Sequence, residues 1–172
     1  MADGRQKIMV RSAQPSDVGT IHRFIGELAA FEQASDEVTS TPDLLHEGLF
    51  GANPAVEALL AERMRADGTG EPVGFAMFYH TFSTWTGMRG IWLDDLYVSA
   101  DARGSGAGGA LLQAVARIAV KRGCARFEWW VLDWNEPAIT FYRSRGAVAQ
   151  DEWTVQRVSG DALLGLAENP LS

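Results

Sequence analysis

A chain of 172 residues closes one core rather than two, and its 47% hydrophobic and 22% charged content predicts a single globular domain over residues 1–172. A net charge of −7, with the fifteen Lys and Arg scattered, argues against nucleic acid and suits a cationic partner, or serves solubility alone. No apolar run approaches the ~20 residues of a membrane span, the opening Met1-Ala2-Asp3-Gly4-Arg5 lacks a leader's apolar core, and the lone Cys124 rules out an internal disulfide, so a cytoplasmic protein with no membrane partner is expected.

Residues 8 to 11 read as an opening strand. Pro15-Ser16-Asp17 then starts a helix whose Ile21, Phe24, Ile25 and Leu28 share one face. Thr41 is a fitting N-cap with Pro42 at the first helical position, and Leu44, Leu45 and Leu49 form the buried side of that second helix. Residues 56 to 61 and 73 to 79 read as antiparallel strands joined by the Asp67-Gly68-Thr69-Gly70 turn, and residues 91 to 98 as a third. A Gly-rich loop leads into the strongest helical pattern, Leu111, Leu112, Val115, Ile118 and Ala119, which Gly123 ends. Residues 127 to 132 are predicted as strand, Pro137 to open a short helix closed by Gly146, and residues 153 to 158 to form a last strand.

Arg103-Gly104-Ser105-Gly106-Ala107-Gly108-Gly109 joins a strand to the N-terminus of a helix, where backbone N–H groups converge and an anion can bind. Glycine leaves the main chain open to a pyrophosphate; the competing reading is a flexible loop with no ligand. Gly104, Gly106 and Gly109 also satisfy G-x-G-x-x-G, but Ser99 to Arg103 intervene after the strand and the acid about 20 residues on, Glu128, is placed mid-strand, so a dinucleotide site is rejected. No Gly-Lys-Ser/Thr of a P-loop is present.

Arg103, Gly106 and Gly108 match R-x-x-G-x-G, preceded by Leu93-Asp94-Asp95-Leu96-Tyr97-Val98 and followed by Asn135-Glu136-Pro137-Ala138-Ile139-Thr140-Phe141-Tyr142. Together these segments resemble the GNAT superfamily of N-acetyltransferases, nearest to the diamine (spermidine/spermine-type) enzymes, over almost the whole chain. The resemblance implies an α/β fold (α+β in stricter schemes), with a mixed, mostly antiparallel sheet of about six to seven strands, a splayed parallel pair and about four flanking helices. It also implies acetyl-CoA as donor and a homodimer. The pantetheine arm would lie along Leu96, Tyr97 and Val98 and meet Asn135, Glu136, Pro137 and Ala138, with the pyrophosphate on Arg103 to Gly109. Tyr142 would protonate the departing thiolate.

Transfer to an amine needs the amine deprotonated, the oxyanion held and the thiolate protonated. Read from the residues alone, Tyr142 is equally a proton donor or a packed aromatic beside Phe141. Asp94 and Asp95 are adjacent, so strand alternation sends them to opposite faces. The family's longer Glu stands where this chain has Asp94, which points to a base acting through water. Glu32, which follows Phe31 after the first helix, resembles the family's amine-binding acid or else merely caps the helix end on a solvated surface; with Phe31, Asp94, Asp95, Ser83 and Trp85 it makes up the acceptor-side candidates, which imply a small cationic or zwitterionic amine: a diamine, a polyamine or a lysine-like compound. Ser83-Thr84-Trp85 lacks the acid that polyamine enzymes carry before their Pro-Trp, which favours a shorter, amino-acid-like acceptor. His22, His46 and His80 have no ligand spacing, so no metal is expected, and no G-x-S-x-G elbow supports an acyl-enzyme. A non-catalytic acyl-CoA-binding domain and a protein or peptide N-acetyltransferase stay open as alternatives.

Overall fold

The computed structural model describes residues 7–168, so the opening residues Met1 to Arg5, read above as lacking a leader core, lie outside them. It divides into two compact units, Met1–Trp130 and Val131–Ser172. The first holds strand β1 (Ile8–Ser12), helices α1 (Val18–Phe31) and α2 (Pro42–Phe50), strands β2 (Glu57–Met64), β3 (Gly70–Ser83) and β4 (Met88–Val98), helix α3 (Ala107–Lys121) and strand β5 (Arg126–Glu128). One sheet runs in the order β1-β2-β3-β4-β5, antiparallel except for the β4–β5 pair.

Period-two alternation decides what each strand buries. Phe75 and Met77 of β3, Ala58 and Leu60 of β2 and Tyr97 of β4 meet Ile21 and Phe24 of α1 and Leu49 of α2 in one apolar cluster. Phe24 stacks on Phe75 at 6.0 Å, and burying a ring of this size contributes about 1.5–3 kcal/mol. Helix α3 packs on the sheet through Leu111, Val115 and Ala119, none of which joins that cluster. The helix signals behave as the residues require: Thr41 Oγ1 accepts from Leu44 N at 3.3 Å at the start of α2, and Gly123 takes a positive φ just past α3.

The opening strand is tied to α1 by charge. Arg11 donates to Asp17 Oδ2 at 2.6 Å and, through Nε, to Glu62 Oε1 at 2.9 Å. The hydrogen bond from Arg11 outweighs the cost of burial and holds the Asp17 carboxyl below its usual range.

The second unit contains α4 (Glu136–Arg143) and α5 (Gly160–Glu168). Three expectations are corrected among the described residues. The strand predicted over residues 127–132 pairs only at Arg126–Glu128, and residues 153–158 form no ladder. The sheet therefore has five strands, and the α-helices number five, with α5 unforeseen. Trp153, Val155 and Val158 have strand-like side chains, yet all three are exposed, and β-propensity without cross-strand neighbours does not make a strand.

Candidate active site

The anion loop forms where β4 hands over to α3. Gly104 and Gly106 take φ of +78° and +93°, the left-handed region, and a Cβ built on either meets no atom within 4 Å, so the side facing away from the protein is open. Gly106 is the N-cap of α3, and Ala107 N donates to Ser105 Oγ at 3.3 Å. Gly108 and Gly109 lie in the helix's first turn, where N–H groups have no partner one turn back. A pyrophosphate fits this cradle: the helix terminus supplies aligned donors, and the two glycines keep the approach clear. Arg103 turns elsewhere, its Nε donating to Val98 O at 3.3 Å and its guanidinium lying 4.8 Å from the Phe31 ring centre.

Strand β4 has the second requirement of an acyl-CoA site, a free edge. Its parallel partner pairs only at Gly90, Ile91 and Trp92, and no strand among the described residues continues on that side of β4 over residues 93–98. The backbone groups of Leu96 and Val98 on that edge suit an amide-bearing arm. Tyr97, between them, packs its ring against Phe24 at 5.8 Å and donates its hydroxyl to Glu27 Oε2 at 3.0 Å, so its side chain is engaged within the protein.

On its other edge β4 carries a β-bulge. Met77 pairs with Asp95 and Phe78 with Leu93, which leaves Asp94 as the extra residue. The expected opposition of the two aspartates does not survive this. Asp95, opposite Met77, sits on the α1 face, and the charge of Asp94 reaches both Asp95 and Tyr79, whose register with Trp92 puts it on the same face. Asp94 itself is exposed. Asp95 is partly buried, and burial first, then the charges of Asp94 and Glu32, push its carboxyl up to about 7.

Glu32 arrives from α1 by a Schellman ending. Gln33 takes φ +60° at the position glycine normally fills, Gln33 N bonds Ala30 O at 3.2 Å and Ala34 N bonds Ala29 O at 2.9 Å. That turn fixes Glu32 as the helix C-cap. More than a third of its surface is open, yet protein on its other side raises its carboxyl above the usual range. The acceptor candidates therefore divide. Glu32, Asp94 and Asp95 gather, with Phe31 joined to the donor loop through Arg103. Ser83 and Trp85 lie at the tip of the β3–β4 hairpin, five rungs beyond the bulge or ~17 Å at strand spacing, with Trp85 84% exposed.

In the second unit Asn135 caps α4, its Oδ1 accepting from Ala138 N at 3.3 Å, which leaves its amide NH2 for a ligand. Glu136 and Pro137 form the first turn. Tyr142 is half-buried, its ring edge-on to Phe141 at 5.2 Å, while Arg145 covers the Phe141 ring at 3.7 Å.

The Acetyltransferase (GNAT) family matches residues 25–147, a span that takes in the bulge, the loop and Tyr142. The chain belongs to the GNAT family. It is 39% identical over 168 residues to thialysine N-epsilon-acetyltransferase of Sus scrofa, covering 93% of this chain and 97% of that one. It is 37% identical to spermidine/spermine N(1)-acetyltransferase-like protein 1 of Homo sapiens, over 92% of this chain but 23% of that longer protein. Among solved structures, an integron cassette protein from the mobile metagenome of V. cholerae matches with a TM-score of 0.75 and 26% identity, over 94% and 98% of the two chains. The protein is thus an acyltransferase of the diamine acetyltransferase-like type.

For a GNAT enzyme two features here were not foreseen from sequence. One is the bulge, which no residue type in Leu93 to Val98 announces. The other is Glu27, which accepts from the Tyr97 hydroxyl and so ties α1 to β4, while Arg23 pairs with it along the helix. His80 is a strand residue held by its neighbours, its Nδ1 3.3 Å from Gly90 O and its Nε2 3.0 Å from Arg122, which pairs with Glu57.

Proposed function

We propose that the chain is an acetyl-CoA-dependent N-acetyltransferase whose acceptor is a small primary amine bearing a second charge, lysine-like rather than a long polyamine. The observation that carries the reading is the gathering of Glu32, Asp94 and Asp95 beside the β4 bulge, next to a strand edge and phosphate cradle that suit acyl-CoA. Acetyl-CoA would supply the activated acyl carbon. Leu96 and Val98 would hold the pantetheine arm through their backbone, and Gly104 to Gly109 the pyrophosphate, and the family resemblance assigns Asn135 to Ala138 to donor binding as well. The three acids attract an ammonium and set its distance in a partly desolvated pocket. Tyr142 would return a proton to the sulfur, so transfer is direct and needs no acyl-enzyme.

Thialysine, the substrate in the name of the pig relative, is a lysine analogue, which supports an amino-acid-like acceptor for this chain. Ser83 and Trp85, far from the acids and without a carboxylate, give the distal end of a long polyamine little to bind. A cytoplasmic homodimer remains part of the proposal. Spermidine, putrescine, lysine and thialysine compared with a neutral arylamine should rank the lysine-like amines first. Glu32→Gln should raise KM for those cations about tenfold while changing kcat less, since it removes an attraction present before and during transfer. A preference for the arylamine, or an unmoved KM, would reject the acceptor assignment.

A further inference from the structure

The acid at the heart of the cluster is not the one that sequence reasoning selected. Asp94 is solvated, whereas Asp95 sits between Met77, its partner across the ladder, and Tyr97, two residues along the same face, both buried. No cation is among the charges that act on Asp95; Arg23 pairs with Glu27, and Arg103 reaches Val98 O and the Phe31 ring. The Tyr97 hydroxyl goes to Glu27. Asp95 forms no side-chain hydrogen bond and no ion pair among the described residues, and none of the fully buried side-chain oxygens there lacks a partner, so its carboxylate opens onto solvent. A partly buried carboxylate with no cation, reached only by two further anions, is costly to keep in a fold unless a ligand supplies the missing positive charge.

We propose that Asp95, and not Asp94, is the general base that deprotonates the acceptor, with Asp94 and Glu32 acting on it as positioning charges. The assignment rests on the acetyl-transfer function above. An ammonium entering the cluster pairs with Asp95 and passes it one N–H proton, leaving a neutral amine and a carboxylic acid. The nitrogen lone pair then forms the C–N bond to the thioester carbon and the C–S bond breaks. The second nitrogen proton replaces the one that Tyr142 delivers to sulfur, and Asp95 releases its proton to solvent, so the sum is amide, free thiol and one proton. An ordinary carboxylate is too weak for this step, but one titrating near 7 stands only about three units below an alkylammonium.

The charged groups facing Asp95 are Asp94 on its own strand and Glu32 from the end of α1, with the Tyr79 hydroxyl of β3 alongside Asp94. Rate–pH profiles of wild type, Asp95→Asn and Asp94→Asn, with a lysine-like acceptor, separate the roles. Wild-type kcat/KM should fall below an acidic limb near pH 7. Asp95→Asn should lose at least ~10²-fold in kcat together with that limb, while binding acetyl-CoA as before and melting no lower than wild type. Asp94→Asn should keep a limb but shift it to lower pH, because removing a neighbouring anion makes Asp95 easier to ionise. Near-normal turnover in Asp95→Asn, or a limb that vanishes only in Asp94→Asn, would overturn the assignment and leave the acetyltransferase function standing. A wild-type protein that acetylates none of the amines would instead remove that function, and the base with it.

Discussion

Gly106→Val should bind acetyl-CoA at least ~100-fold more weakly than wild type while remaining folded. Two effects act together at this residue. Its φ of +93° lies where a β-branched side chain is strained by about 1–3 kcal/mol, and it is the N-cap that aims the first N–H groups of α3 outward. A Cβ here meets no protein atom, so the substitution does not disrupt packing; the space it takes is the space through which a phosphate would reach the main chain. Strain of that size is a fraction of a domain's stability, so the fold should survive. Gly108, already inside the helix, has no such dihedral demand, and its replacement by Val tests the phosphate approach alone. Calorimetric titration reads the result, and unchanged affinity in a folded Gly106→Val protein would take this loop out of the site.

Tyr142→Phe should lower kcat by ~10²–10³-fold with acetyl-CoA affinity little altered, the signature of a group needed in the transition state but not for donor binding. The phenol keeps its proton at neutral pH and can hand it to a thiolate leaving group. Phenylalanine preserves the ring and its edge contact with Phe141, so packing changes little. Steady-state kinetics with both substrates varied would show it. Near-normal turnover would return Tyr142 to a packing role beside Phe141.

The parts of the site legible in sequence are those written in consecutive residues. Thr41-Pro42 announces a helix start, and Arg103 to Gly109 between a strand and a helix announces an anion cradle, because caps and left-handed glycines act through local backbone geometry. The spacing of Leu111, Leu112, Val115 and Ala119 likewise exposes a buried helix face. What escaped depends on register between distant strands. Alternation put Asp94 and Asp95 on opposite faces, and only the pairing of Met77 with Asp95 and Phe78 with Leu93 reveals the bulge that overrides it. Residues 153–158 failed as a strand for a related reason, since their β-branched and aromatic side chains specify a preference but not a partner. Helix α5 was not foreseen, although Ala162, Leu163, Leu164, Leu166 and Ala167 are strong helix formers; Gly165 interrupts them and Gly160, at its start, takes a turn-like φ of +55°.

The reaction proposed for this site is transfer of an acetyl group from acetyl-CoA to a small cationic amine. Its most direct measurement incubates the protein with acetyl-CoA and a lysine-like amine, and follows free thiol and product mass in the same sample. One thiol should be released per acetyl group gained, with the mass added at the side-chain amine and no acetylated protein accumulating. Thiol release that does not depend on the amine, or acetyl-CoA bound and returned intact whatever amine is supplied, would contradict it.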